Sequence, residues 1–195
     1  MPESTSPIPV PLKSLVEALL FVSGSPVTVE QLVKALEGVS AHQIREALDQ
    51  LSQEYEVSEK GIKILEVAQG YQMVTRRELA PWIKRFLQQT PMRLSRQCLE
   101  TLAIAAYRQP MTRLEIEQIR GVSADGTIQT LLEKGMIRIT GRKAVLGRPF
   151  LYGTTPLFLE RFGLVSLQDL PKLEEFVQKG EPVKADENIS VAQPN

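Results

Sequence analysis

The fold is indicated by residues 26–41, PVTVEQLVKALEGVSA, because the chain repeats their pattern in residues 110–124, PMTRLEIEQIRGVSA. Both segments begin with Pro-x-Thr and end with Gly-Val-Ser-Ala, and the two tetrapeptides lie 83 positions apart. In each segment, the threonine precedes a glutamine or glutamate by three residues, which is the capping-box pattern of a helix start. An internal repeat of this kind predicts two similar domains in tandem.

The residues around the first copy predict three helices followed by a β-hairpin. Apolar residues recur at helical spacing in three segments, residues 12–22, 29–36 and 44–51. Two β-prone runs then flank a short break at Ala68, Gln69 and Gly70, which is typical of a hairpin. Three helices and a hairpin make a winged-helix domain, which we predict over residues 12–90 with a closing helix at residues 77–87.

The second copy predicts a second winged-helix domain over residues 91–165. We expect Ser123 to cap its third helix and residues 141–149 to form a long wing tip. Gly126 departs from the repeat, because Gln43 stands at the equivalent place. Since glycine in a helix costs about 1 kcal/mol relative to alanine, we expect an unusual backbone or a close neighbour there. The fold class is mainly α with small β-wings (α+β).

The two ends of the chain, residues 1–11 and 166–195, lack the periodicity of the two domains. The first is rich in proline and the second is polar, so we expect an extended tail and a largely disordered extension. No basic segment followed by an apolar run opens the sequence, and no apolar stretch is long enough to cross a bilayer. We therefore expect a soluble protein without a signal peptide or membrane contact.

Composition argues against several classes of site. The chain of 195 residues has one histidine, His42, and one cysteine, Cys98, which excludes an internal disulfide and a histidine- or cysteine-rich metal centre. Cys98 lies on the apolar face of a helix, where a buried and unreactive thiol is expected. We predict no catalytic residues, no cofactor and no metal, and therefore no enzyme.

DNA binding is the first function to weigh for a winged-helix fold, but the charges argue against it. The net charge is zero, and the third helix of each domain carries few cations to hold a phosphate backbone. Residues 94–155 hold nine basic and five acidic side chains, so the second domain is the only candidate for nucleic-acid contact. A solvated surface or an acidic protein partner explains the same charge.

Two aromatic residues in helical apolar patterns, Trp82 and Tyr107, suit either core packing or an interface. We expect core packing for both, because each lies on the apolar side of its helix.

Several motifs of the second domain carry a family resemblance. Residues 99–113, LETLAIAAYRQPMTR, resemble the signature of the bacterial segregation and condensation protein B family. Shorter motifs of the same signature follow at residues 119–122, 125–126, 141–143, 147–149, 152–155, 162–164 and 167–171. Residues 17–21, EALLF, and the pair Ser23 and Gly24 extend the resemblance to the first domain, so that it covers residues 12–176.

The resemblance implies a non-catalytic subunit of the bacterial condensin-like complex, acting in chromosome condensation and partition during cell division. It implies a homodimer formed through the N-terminal domain. It also implies that the C-terminal domain binds the kleisin, segregation and condensation protein A, which connects to the SMC ATPase. The implied location is the cytoplasm, in association with the nucleoid, with at most weak DNA contact and no membrane.

Four residues are our candidates for the partner-binding surface of the second domain: Arg113, Arg142, Arg148 and Tyr152. Their alternative role is to support the wing and its turn. The alternative function is a DNA-binding transcription regulator with tandem winged helices, which would show tight, sequence-dependent DNA binding with a steep salt dependence.

Overall fold

The computed structural model describes residues 10–88 and 93–172, and each range forms one compact unit. The predicted tail up to residue 9, the junction at residues 89–92 and the extension from residue 173 lie outside the described residues. In each unit, three helices and a small antiparallel sheet form the winged-helix arrangement expected from the sequence, and a fourth helix follows the sheet.

Three helices build the core of the first unit: α1 (Leu12–Ser23), α2 (Val29–Ala35) and α3 (Ala41–Val57). Capping boxes open α2 and α3, where Thr28 and Ser40 accept hydrogen bonds from the third residue of each helix. The most deeply buried side chains of these three helices are aliphatic: Val16, Leu20, Leu32, Ile44, Leu48 and Leu51. Helical spacing in the sequence therefore identified the faces that pack together.

The wing of the first unit is the hairpin of β1 (Ile62–Val67) and β2 (Gly70–Thr75), joined by the two-residue turn of Ala68 and Gln69. Val27 bridges to Tyr71 on β2, so the residue before the Thr28 cap extends the sheet. The predicted closing helix is divided, with a 3-10 turn at Arg77–Leu79 followed by α4 (Ala80–Leu87).

The second unit repeats this order with α5 (Arg96–Arg108), α6 (Arg113–Arg120) and α7 (Asp125–Glu133). Its sheet has three strands in the order β3-β5-β4, with β3 at Met111–Thr112, β4 at Ile137–Arg142 and β5 at Phe150–Thr154. Helix α8 (Pro156–Phe162) and a 3-10 turn at Leu167–Asp169 follow. The sequence did not predict β3, which occupies the place that Val27 takes in the first unit.

Two expectations for α7 are wrong. Ala124, rather than Ser123, is the residue at the start of the helix, and its N–H donates to Oε1 of Glu117 at 3.0 Å. Gly126 has neither a positive φ nor a close neighbour, because no atom lies within 4 Å of the place where its Cβ would be. The structure gives no reason for glycine at this position.

Candidate functional site

Helices α3 and α7 are the ones that a DNA-binding winged-helix domain places in the major groove. The exposed side of α3 carries one guanidinium, of Arg45, and the carboxylates of Glu46, Asp49, Glu54 and Glu56. The exposed side of α7 carries Asp125, Gln129 and Glu133, and its nine residues include no lysine or arginine. Because phosphate contacts require cations, neither helix is suited to hold a duplex.

Arg113, the first residue of α6, links the beginnings of α6 and α7. Its Nη1 donates a hydrogen bond to Oδ1 of Asp125, and its Nε lies 3.9 Å from Oε1 of Glu117. The hydrogen bond that Arg113 donates to Asp125, followed by the negative charges of Asp125 and Glu117, raises the pKa of Arg113, and Tyr152 adds a smaller contribution. Arg113 is therefore a fixed cation beside Tyr152, with about half of its side chain exposed.

Glu115 joins the start of α6 to the wing. Its Oε2 accepts hydrogen bonds from N and Oγ1 of Thr112 at 2.7 and 2.8 Å, and its Oε1 accepts one from Nζ of Lys143 at 2.5 Å. The hydrogen bond from Lys143, followed by those from Thr112, lowers the pKa of Glu115 to about 2. The capping box of α6 thus also anchors the base of the wing tip.

Strand β5 presents a row of side chains across the three-stranded sheet. Tyr152 pairs with Met111 on one side and with Ile139 on the other, so the three share a face of the sheet. Phe150 lies two residues before Tyr152 and shares that face. The guanidinium carbon of Arg142 lies 4.0 Å from the centroid of the Phe150 ring. We call the residues Ile139, Arg142, Phe150 and Tyr152 the wing face.

The four residues predicted at the functional surface fall into two pairs. Arg113 and Tyr152 come near each other although they are 39 positions apart in sequence, because Met111, two residues before Arg113, pairs with Tyr152. Arg142 and Arg148 lie at the two sides of the wing tip, and Nη1 of Arg142 donates to the carbonyl oxygen of Arg148 at 3.1 Å. That Arg142 bonds the turn also agrees with a supporting role, so partner binding stays a prediction for all four.

Exposed apolar side chains lie on the wing face and beside it. Ile139 and Phe150 are partly exposed, Leu114 on α6 is 59% exposed, and Leu146 at the wing tip is fully exposed. Sequence reasoning missed Ile139 and Phe150, although their alternation along β-prone runs was available as a signal. Apolar groups this accessible beside fixed cations suit a protein partner.

A second apolar surface lies on the first unit. Trp82 and Phe86 are one helical turn apart on α4, and 64% and 85% of their side chains are exposed. The expectation that Trp82 packs in the core is therefore wrong, because the apolar side of α4 faces outward. On α1, Phe21 and Val22 are also about three-quarters exposed. Tyr107, the other aromatic residue of this prediction, is half-buried and donates a hydrogen bond to the carbonyl oxygen of Pro171 at 2.6 Å.

Groups that carry chemistry are sparse in residues 10–88 and 93–172. The single histidine, His42, is exposed and lies 3.5 Å from a carboxylate oxygen of Glu46, while Cys98 is buried. Within these ranges, no three histidine, cysteine or acidic side chains come together in a way that would hold a metal ion. The described part of the chain also contains no helix long and apolar enough to cross a membrane.

Comparison of the sequence with protein families and with known proteins points to the same family. The model of the family "Segregation and condensation complex subunit ScpB" matches residues 14–173. Segregation and condensation protein B of Syntrophotalea carbinolica is 48% identical over 169 residues, which are 87% of this chain and 85% of that protein. The protein of the same name from Moorella thermoacetica is 49% identical over 164 residues, 84% of each chain.

Proteins of known structure also match this chain in sequence. The crystal structure of ScpB from Mycobacterium tuberculosis has 38% sequence identity and a TM-score of 0.37, covering 78% of this chain and 95% of that chain. The crystal structure of a dimer of the ScpB N-terminal domain complexed with ScpA peptide has 32% identity and a TM-score of 0.36. It covers 38% of this chain and 91% of that chain.

Proposed function

The chain belongs to the family of the segregation and condensation complex subunit ScpB, and on that premise we propose that it is a non-catalytic subunit of a condensin-like complex. It acts in chromosome condensation and partition during cell division. Its partners are a second copy of itself, the kleisin ScpA and, through the kleisin, the SMC ATPase. The observation that carries the proposal is the family match over residues 14–173.

The surfaces of the two units support a role in protein binding. Exposed apolar side chains are grouped on both units, and groups of this kind on a soluble domain mark interaction sites. The third helices, which read DNA in other winged-helix proteins, are acidic or neutral on their exposed sides. A transcription regulator needs the opposite charge there, so this observation favours the complex subunit over the alternative.

We assign self-association to the first unit, residues 12–90, and to the apolar side of α4. Trp82 and Phe86 are large aromatic residues at helical spacing, and aromatic residues are enriched among the energetically dominant residues of interfaces. A second copy covers them most simply, because an isologous dimer brings the same apolar surface from both sides.

We assign kleisin binding to the second unit, residues 91–165, and to the wing face with Arg113. Arg113 and Tyr152 form the centre of this surface, and Arg142 and Arg148 form its margin. The unit carries more basic than acidic side chains, so an acidic kleisin segment with apolar side chains is the ligand that matches it. The cytoplasm, in association with the nucleoid, is the location that this role requires.

The test uses the full chain with purified kleisin. Light scattering after size-exclusion chromatography should give twice the 21.8 kDa mass of the chain, and a complex of higher mass when the kleisin is added. The variant Trp82→Ala should shift the protein towards the monomer, whereas Arg113→Gln should weaken kleisin binding and leave the dimer intact. A monomeric wild-type chain would overturn the dimer, and no binding of the kleisin at low salt would overturn the proposed function.

A further inference from the structure

The hairpin of β4 and β5 concentrates positive charge in a chain whose net charge is zero. Residues 135–159 include four basic side chains, of Arg138, Arg142, Lys143 and Arg148, and no aspartate or glutamate. Lys143 is paired with Glu115 of α6, whereas the described residues offer no carboxylate within ion-pair distance of the three arginines. All three arginines are exposed, so the hairpin carries three uncompensated cations.

Two of these arginines have a feature of their own in the hairpin. The guanidinium of Arg142 stacks on the Phe150 ring and donates one hydrogen bond to the turn, which leaves its other N–H groups free for an anion. Arg148 has a φ of 40°, a left-handed conformation that glycine or asparagine adopts more easily. An arginine in this strained place indicates that its side chain, rather than the turn geometry, is required.

The tip of the hairpin is apolar and uncovered. Val145 is about half-exposed and Leu146 is fully exposed, beyond the last cation of β4. A narrow β-ribbon with arginines along it and an aliphatic residue at its end has the features of proteins that contact the minor groove, where arginines bind and apolar side chains wedge between base steps.

We propose that the β4–β5 hairpin binds duplex DNA without sequence preference, with Arg138, Arg142 and Arg148 at phosphates and Leu146 at the minor groove. Arg142 and Arg148 also form the margin of the proposed kleisin surface, so the duplex and an acidic kleisin segment compete for these two residues. Arg138 pairs with Gly153 and Arg142 with Phe150, and the register shift between Ile139 and Gly141 places the two arginines on opposite faces of the hairpin. Cations on both faces of a ribbon match the phosphates of the two strands that border a groove better than they match one carboxylate. Contact by the wing alone also agrees with α7, whose exposed side carries Asp125 and Glu133 and would repel a duplex.

The experiment measures fluorescence anisotropy of a labelled 30-base-pair duplex of mixed sequence with the full chain. Three phosphate contacts give a slope of log affinity against log salt of about −2.7, or about 40-fold weaker binding at 200 mM than at 50 mM salt. Each single change, Arg138→Gln, Arg142→Gln or Arg148→Gln, should reduce the steepness of that slope by about 0.9. The variant Leu146→Ser should weaken binding several-fold and leave the slope unchanged.

Two controls separate charge at the wing from charge in general and from misfolding. The triple variant Lys34→Gln, Arg45→Gln, Lys63→Gln removes three cations of the first unit and should leave DNA affinity unchanged. Arg148→Gly removes the guanidinium but suits the positive φ, so it should keep the fold and still lose affinity. The proposal is overturned by no binding at 50 mM salt, or by an equal loss in the first-unit triple variant. It is also overturned if polyglutamate and unlabelled DNA displace the labelled duplex at the same concentration of negative charge. An acidic protein segment would then be the ligand.

Discussion

Nη2 of Arg76 donates a hydrogen bond of 2.7 Å to the carbonyl oxygen of Tyr55, in the last turn of α3. The same nitrogen donates to the carbonyl oxygens of Glu56 and Ser58, and Nε donates to that of Lys60. One guanidinium therefore serves the unpaired carbonyl groups at the end of a helix and ties them to the end of β2. This contact fixes the wing of the first unit against its longest helix.

Replacement of Arg76 by alanine should lower the free energy of unfolding of the first unit by about 2 kcal/mol, because hydrogen bonds to a charged group contribute about 1.5–3 kcal/mol. The measurement is the urea midpoint followed by circular dichroism. Arg76→Lys keeps the charge but not the planar fork, so it should recover only part of the loss. Full recovery by lysine would show that charge alone matters here.

The two-residue turn of β1 and β2 predicts a stabilising double substitution. Ala68 and Gln69 have φ values of 50° and 61°, which turns of this kind usually meet with Asn-Gly. Ala68→Asn with Gln69→Gly should raise the free energy of unfolding by about 1 kcal/mol, since a left-handed residue other than glycine costs about 1–2 kcal/mol. The neighbouring Gly70→Ala is the opposite control, because its Cβ would lie 2.8 Å from the carbonyl oxygen of Val27. An unchanged urea midpoint in the double variant would contradict the assignment of strain.

The pairs that the sequence predicted correctly are local ones. Thr28 with Gln31 and Thr112 with Glu115 form capping boxes because the two partners are three residues apart, and a helix start brings such partners together whatever the rest of the chain does. The Arg113–Tyr152 neighbourhood depends on the pairing of β3 with β5, and β3 is too short to give a strand pattern. Candidate site residues were therefore identified from the resemblance, and their grouping was not.

Trp82 shows why exposure was predicted wrongly. Helical spacing identifies which residues of α4 share one face, but it does not show whether another element packs on that face. In the folded chain it faces outward, and the same pattern would look identical if a neighbouring element covered it.

The single tryptophan gives a direct readout of the proposed dimer. Trp82 is the only tryptophan of the chain and is 64% exposed, so burial by a second copy should shift its emission to shorter wavelength. On dilution through the dissociation constant, the emission maximum should move to longer wavelength in step with the loss of mass by light scattering. Phe86→Ala should move this transition to higher protein concentration, whereas a change in emission without a change in mass would exclude α4 from the interface.

Glu115 predicts an acid-sensitive link between α6 and the wing. Its pKa is lowered from 4.5 to about 2 in the folded protein, because Lys143 and Thr112 bond to the ionised form. A lowered carboxylate pKa contributes stability that is present above about pH 4.5 and is lost as the pH falls towards 2. Glu115→Gln should make the unfolding free energy of the second unit less dependent on pH in that window. A variant that keeps the wild-type pH profile between 2 and 5 would contradict this assignment.

Asp125 allows the kleisin surface to be tested by a gain of binding. Its carboxylate accepts a hydrogen bond from the guanidinium of Arg113. A carboxylate of an acidic kleisin segment would have to share this guanidinium with Asp125 or displace Asp125 from it. Asp125→Asn removes the competing charge, so we expect kleisin binding about threefold tighter, whereas Arg113→Gln should weaken it about tenfold, in line with rough coupling energies for charge pairs at interfaces. In the double variant, the gain from Asp125→Asn should disappear, because no guanidinium is left to release.

Isothermal titration calorimetry at two salt concentrations measures all four proteins, with Arg96→Gln on the exposed start of α5 as a charge-matched control. Equal losses for both single variants would mean that the Arg113–Asp125 pair only supports the fold, and the kleisin contact would then have to be sought elsewhere on the second unit.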